Sequence, residues 1–412
     1  MSNDSSIFKS FSKVFKNREA LSHRYIPDKL LHREREIETL AFYFSFALQG
    51  STPPNVLILG KTGTGKTAVT KKVLSMFKKE IEKEGVDVLV GYGVATKSPI
   101  ETLVNILKDM GAEGIRYYRG VSMSEVKPVY EKFTGERINI LIIDEFDKLV
   151  LANRADELLY YLTRRDKTAV IAISNKLFVE EKITDKRVQS SWRPRKLVFK
   201  NYDVQQLIDI LKYRAKLSFN EGVVDDEIIS LVSAFTVQRG GDVRFALDIL
   251  AMSGELAVLI KSDKVTIEHV KEAVKKVESE YIEDSLSNLS THHKLLLLTV
   301  ALRKSISPSE AYKICNEAIE KFKFMWIRPI THRRWADYRS ELELLGFIEL
   351  TKRGMGKGKG WGYILRIPDT YDTSLVIKLI KKDISRELED NKTKLDALLD
   401  FIAKAGNSFN RQ

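Results

Sequence analysis

Gly60, Lys61, Thr62, Gly63, Thr64, Gly65, Lys66 and Thr67 run consecutively, with glycine in the first, fourth and sixth places and a Lys-Thr pair at the end. That spacing suits the cradling of a polyphosphate. Glycines let main-chain N–H groups approach phosphate oxygens, Lys66 reaches the β and γ phosphates, and the Thr67 hydroxyl is a hard ligand for Mg²⁺. A second chemical group is Ile140-Leu-Ile-Ile-Asp144-Glu145, two adjacent carboxylates closing an apolar run. Asp144 is expected to hold the Mg²⁺ through its water shell, and Glu145 to orient or deprotonate the water that attacks the γ phosphate. A third run, Ile171-Ala-Ile-Ser-Asn175, ends in an amide. Asn175 positions that water, or senses the γ phosphate, or simply caps its strand.

Chemistry of this kind needs a rigid base, and the flanking pattern supplies one. Short runs rich in Val, Ile and Leu at 55–59, 86–90, 138–143 and 168–173 are separated by helical-period segments such as 66–84 and 98–110. Near-continuous apolar strands alternating with helices predict an α/β core, a parallel sheet covered on both faces. From about 203 to 278 the apolar period is 3.6 throughout, which predicts an all-α lid following the sheet. Helical segments at 290–303, 308–322 and 331–345 then lead into two strand-like runs, Phe347-Ile-Glu-Leu and Gly362-Tyr-Ile-Leu-Arg-Ile. Three helices and a hairpin are the order of a winged helix, and the Gly/Lys run between the strands reads as its tip. The expected division is an N-terminal extension at 1–24, a nucleotide-binding α/β domain at 25–202, a helical lid at 203–284, a winged helix at 285–374 and a C-terminal helical tail at 375–412. No internal repeat is evident.

Composition narrows the class of partner. The 412 residues carry 68 Lys or Arg against 56 Asp or Glu, a net charge of +12, and a surplus of that sign favours polyanions, nucleic acid above acidic membrane. A single cysteine, Cys315, excludes an intramolecular disulfide and a thiolate-rich metal site. Met1 to Ser10 lacks a secretory pattern, and the longest apolar stretch, Leu40 to Leu48, is too short to span a bilayer. The expectation is a cytoplasmic, nucleoid-associated protein with no membrane partner. Ile7, Phe8, Phe11, Val14 and Phe15 recur at helical spacing with Lys9, Lys13 and Lys16 between them, the pattern either of a membrane-surface helix or, by base rate the favoured reading, of a helix docked on its own protein.

With these motifs in this order the chain resembles the AAA+ ATPases. Residues 60–67 correspond to that family's Walker A, 140–145 to Walker B, Asn175 to sensor 1, and Gly240-Gly-Asp-Val-Arg244 to a lid helix carrying sensor 2. More narrowly, it is similar to the archaeal replication initiators related to the largest origin-recognition-complex subunit and the cell-division-control helicase loader. The segments that carry this are Tyr25-Ile-Pro-Asp-Lys-Leu-Leu-His32-Arg33-Glu, Ile142-Ile-Asp-Glu-Phe-Asp-Lys-Leu, Ile173-Ser-Asn-Lys-Leu-Phe-Val-Glu and Asp185-Lys-Arg187-Val-Gln-Ser-Ser. The resemblance implies ATP or ADP with Mg²⁺ as ligands, and Arg244 as the lid arginine that approaches the γ phosphate. It also implies that Tyr202 and Arg214 contact nucleotide and that Ile26 and Pro27 cover the adenine. Arg187 matches the arginine finger that one protomer inserts into its neighbour, with Arg193 in Ser190-Ser-Trp-Arg193 as the competing candidate.

Two surfaces are expected to meet duplex DNA. Residues 321–366 hold eleven Lys or Arg and four Asp or Glu, so the positive charge concentrates on the winged helix. Arg333, Arg334, Tyr338 and Arg339 fall at the start of the third helix, from which a recognition helix faces the major groove. Lys352, Arg353, Lys357 and Lys359 lie along the wing, while Trp335 and Trp361 are expected to serve the core. By the family resemblance, Gly114-Ile-Arg116-Tyr117-Tyr118-Arg119-Gly120 is similar to an initiator-specific insertion, which adds Arg116, Tyr118 and Arg119. The resulting expectation is an ATP-dependent initiator that binds origin DNA, works with other protomers or paralogues and with the replicative helicase, and hydrolyses ATP slowly as a switch. A nucleotide-gated transcription regulator and a DNA-stimulated motor or clamp loader are the alternatives.

Overall fold

The computed structural model describes residues 11–113, 121–287, 289–354, 361–369 and 371–405. The chain divides into two compact units, Met1–Ala273 and Val274–Gln412.

The first unit is built on five strands, β1 (Val56–Leu59), β2 (Val88–Val94), β3 (Ile138–Asp144), β4 (Thr168–Ser174) and β5 (Arg195–Val198), in the order β2-β3-β4-β1-β5. Every neighbouring pair is parallel. Parallel neighbours need crossovers, and the helices that make them cover both faces. They are α2 (Lys66–Glu84), α3 (Pro99–Asp109), α4 (Met123–Thr134), α5 (Asp147–Leu151), α6 (Ala155–Leu162) and α7 (Lys186–Ser191), and α1 (Glu34–Leu48), which precedes the first strand, packs against the sheet with them. Strand side chains alternate between the faces. Ile58, Ile140, Ile142, Ile171 and Ile173 pack with Phe44, Val69 and Phe77. Leu57, Leu141, Ile143, Val170 and Ala172 pack with Leu103, Leu107, Leu158 and Leu162 on the opposite face. β5 goes unread in the sequence because it is an edge strand whose Arg195-Lys-Leu-Val is mostly exposed.

The lid begins where β5 ends. It comprises α8 (Val204–Ser218), α9 (Asp226–Gln238), α10 (Val243–Leu259) and the start of α11 (Ile267–Ser287). Asp203, Asp225 and Asp242 cap the first three by accepting from backbone N–H groups of the opening turn. The N-terminal segment docks on these helices. The Phe15 ring stacks on Phe219 at 4.8 Å, and the Lys16 and Asn17 N–H groups donate to the Ser218 carbonyl at 2.9 and 3.0 Å. Gly254 on α10 makes room, since a Cβ there would sit 2.4 Å from Phe15 Cζ. Arg214 on α8, buried, then donates to the carbonyls of Ala20 at 2.5 Å and Ser22 at 2.8 Å.

The second unit contains α12 (Thr291–Arg303), α13 (Pro308–Phe322), α14 (His332–Leu344) and the antiparallel pair β6 (Glu349–Gly354) and β7 (Trp361–Arg366). This is the winged-helix succession. Two further helices follow, α15 (Thr373–Glu387) and α16 (Lys392–Lys404), where one terminal helix was expected. The Asn391 side chain accepts from the Lys394 N–H and starts the second of them. Nor are they a loose tail: Val376, Ile380, Ile384, Leu398 and Ile402 share one core with Leu295, Leu297, Ile314, Trp335 and Leu365. Trp335 is thus a core residue, as expected.

Candidate nucleotide and nucleic-acid sites

At the C-terminal end of β1 the chain passes through residues 60–65 into α2. Gly65 adopts φ +92° as the residue ahead of that helix, and Gly63 adopts φ +73°, conformations that side chains resist. Space confirms the need for glycine at 63, where a Cβ would fall 1.8 Å from Asp242 Oδ1, so the lid's capping carboxylate presses against the loop. Lys66 is buried, and its ammonium donates to the carbonyls of Gly60 and Lys61, both at 2.8 Å. Burial, with the nearby Arg244 guanidinium, pushes it down to about 8. Thr64 Oγ1 donates to the Lys61 carbonyl at 2.8 Å, closing the loop; Lys61 and Thr62 themselves are exposed.

Asp144, buried at the end of β3, gathers three donors. Thr67 Oγ1 donates to Oδ2 at 2.9 Å, the Tyr92 hydroxyl to the same oxygen at 2.5 Å, and the Glu145 N–H to Oδ1 at 2.8 Å. Burial and the Asp144 charge push the Tyr92 hydroxyl far above its usual value, so it stays a donor. Tyr92 escaped the sequence reading because only the observed strand order makes β2 the neighbour of β3. Glu145 stands in the left-handed region at φ +52° and pairs with Lys148. At the end of β4, the Asn175 N–H donates to Asp147 Oδ1 at 3.0 Å, and Ser174 Oγ donates to the same oxygen at 3.2 Å.

A cavity of about 480 Å³ opens over these groups. Gly63, Gly65, Lys66, Thr67, Asp144 and Glu145 line one end, and Arg244 from the first turn of α10 lines it from the lid side. Ile26, Pro27, Tyr202 and Arg214 line it as well. A phosphate loop, two carboxylates, a lid arginine and an apolar flank therefore converge from segments up to 218 positions apart in sequence. Arg187 and Arg193 lie elsewhere on the surface. Arg187 pairs with Asp185, Nη2 to Oδ2 at 2.7 Å and Nε to Oδ1 at 3.1 Å, and its Cζ sits 4.7 Å from the Tyr160 ring. Those hydrogen bonds hold the Asp185 carboxyl down to about 2.

On the second unit, Arg333 and Arg334 are exposed in the first turn of α14, whose N-terminus is capped by Thr331. Tyr338 is half-buried rather than free: it stacks on His292 at 5.5 Å, meets His293 edge-on at 4.4 Å and accepts from Arg334 Nε at 3.2 Å. Arg339 is also half-buried. Lys352 is exposed on β6, and the Arg353 backbone pairs with Gly362. Lys357 and Lys359, like Arg116, Tyr118 and Arg119, lie outside the described residues.

Residues 29–171 match the model of the AAA ATPase domain, and residues 208–275 match the Cdc6 AAA+ ATPase-type lid domain. An ORC1-type DNA replication protein of Methanothermobacter thermautotrophicus is 33% identical over 378 residues, covering 92% of this chain and 100% of the relative. ORC1-type DNA replication protein 1 of Archaeoglobus fulgidus is 37% identical over 358 residues, 82% of this chain and 84% of that one. Among solved structures, the ORC1 protein of Aeropyrum pernix in complex with DNA aligns with a TM-score of 0.76 at 31% identity, covering 91% of this chain and 99% of its own.

Proposed function

This chain belongs to the ORC1-type DNA replication proteins, and we propose accordingly that it is an initiator that binds origin duplex DNA under the control of bound ATP. The observation that carries this is the cavity in which the phosphate loop, Asp144, Glu145 and the lid's Arg244 meet. A relative that covers 92% of the chain is an ORC1-type DNA replication protein, which favours this reading over a promoter regulator or a processive motor.

The donor set fits a magnesium nucleotide. Thr67 Oγ1 and Asp144 Oδ2 stand 2.9 Å apart, a hydroxyl and a carboxylate oxygen of the hard type Mg²⁺ prefers. Mg²⁺, when bound, neutralises charge on the β and γ phosphates. The residues of the chain do the rest. Lys66 exchanges the Gly60 and Lys61 carbonyls for phosphate oxygens, while the N–H groups of the loop and the start of α2 supply further donors. Glu145 leaves Lys148 to take a proton from the attacking water at its carboxylate. Arg244 reads the γ phosphate from the lid, and Ile26, Pro27 and Tyr202 exclude water around the base. Arg187 reaches the site of a neighbouring protomer. Slow hydrolysis of ATP to ADP and phosphate then serves as a switch on how the basic face of α14 and the wing grip DNA. Other initiator protomers and the replicative helicase are the protein partners of this reading.

Titration calorimetry with ATP and Mg²⁺, followed by footprinting of origin duplex with and without nucleotide, tests the proposal. Heat of binding and a nucleotide-dependent footprint are expected. Absence of ATP binding would overturn it.

A further inference from the structure

We propose that Arg33 is a positioning residue that aims a phosphate-binding N–H of the loop and ties the loop to the root of the lid; this rests on the nucleotide-binding reading above. Arg33 immediately precedes α1, is 4% exposed, and spends its whole guanidinium on contacts within the chain. Nε donates to the Thr64 carbonyl at 2.9 Å and Nη2 to the Lys200 carbonyl at 2.8 Å. Nη1 donates to the His32 carbonyl at 3.0 Å and to Glu36 Oε1 at 3.4 Å. The plane of the group lies over the Tyr202 ring, with Cζ 3.8 Å from its centroid.

Two consequences follow from peptide geometry and the shape of the fork. A trans peptide holds its C=O and N–H on opposite sides, so drawing the Thr64 carbonyl toward Arg33 turns the Gly65 N–H away from it. Gly65 is the left-handed residue before α2, and it lines the cavity beside Gly63 and Lys66. Arg33 thereby fixes the direction of a donor that a phosphate needs. The same rigid plane grips Lys200 and Tyr202, the last residues before Asp203 caps the first lid helix. Movement of the loop on binding phosphate is thus felt at the lid's root. Lysine cannot substitute, because a single ammonium lacks the planar fork that reaches both carbonyls and stacks on the ring.

Hydrogen exchange of the full chain with and without ATPγS and Mg²⁺, beside calorimetry, tests this in Arg33→Lys and Arg33→Ala. In the unsubstituted protein, nucleotide is expected to protect both residues 60–67 and residues 200–207. In Arg33→Lys, affinity should fall on the order of tenfold, and protection should appear at 60–67 but not at 200–207. Arg33→Ala should lose more affinity; if it fails to fold, Arg33→Lys decides. Unchanged affinity and full protection at 200–207 in Arg33→Lys would overturn the inference, as would a uniform loss of protection independent of nucleotide, which marks a merely structural role. Failure of the unsubstituted chain to bind ATPγS would instead sink the nucleotide reading itself.

Discussion

Glu145 illustrates how a single backbone choice prepares chemistry. Its φ of +52° is costly for a residue with a Cβ, and the bond from its N–H to Asp144 Oδ1 is one of the contacts that hold it there. The side chain is therefore presented beside the carboxylate it must not duplicate. Glu145→Gln removes the proton acceptor and keeps the shape, so ATP turnover measured in single-turnover assays should fall about 10²- to 10⁴-fold while calorimetric ATP affinity is retained. Unchanged turnover would exclude Glu145 from the reaction. These residues were legible in the sequence because Walker-type runs are contiguous and sit at strand ends. Tyr92 and Arg33 were not, since each acquires its role from a partner more than thirty positions away: Asp144 for Tyr92, Thr64 for Arg33.

Helices and strands were read where period and length agreed, as in α2, α3 and the apolar runs of β1 to β4. They were missed where charge masked an edge, as in β5, or where a short cap split one expected helix into α15 and α16. Two predictions concern single elements. Gly254→Leu on α10 would drive a side chain into Phe15 and Phe219, overpacking that costs about 1–3 kcal/mol. Exchange at the Lys16 and Asn17 amides should then quicken on the order of ten- to a hundredfold, whereas unaltered exchange would mean the contact is dispensable. His293 on α12 is buried against Tyr338 and within 3.2 Å of Glu341, both on α14. Burial lowers its pKa despite that carboxylate. A histidine whose folded value is lowered binds fewer protons than the unfolded chain, so its contribution is whole above the unfolded value and is lost as pH falls. The melting temperature should therefore drop below about pH 6.5, and His293→Gln, which cannot titrate, should flatten that drop. Parallel curves for the two proteins would contradict this.

Across the whole chain, the arginines of α14 and the nucleotide site lie in different units, so each can be substituted without touching the other. Arg333→Ala and Arg334→Ala should weaken duplex binding at all sequences alike if they meet phosphates. Each should reduce the slope of log affinity against log salt by about 1. A slope that does not move would place the contact elsewhere. Hydrolysis per protomer should rise with protein concentration if Arg187 completes a neighbour's site, and Arg187→Ala should abolish that rise; rates independent of dilution would remove a finger supplied in trans. Because Arg214 and Phe219 hold the strand of chain running through Ala20 and Ser22, the residues just beyond it, Ile26 and Pro27, are hitched to the lid at their upstream end. If Ile26 and Pro27 roof the purine as proposed, any swing of the lid away from the sheet carries that roof with it, which makes base release and lid opening one event.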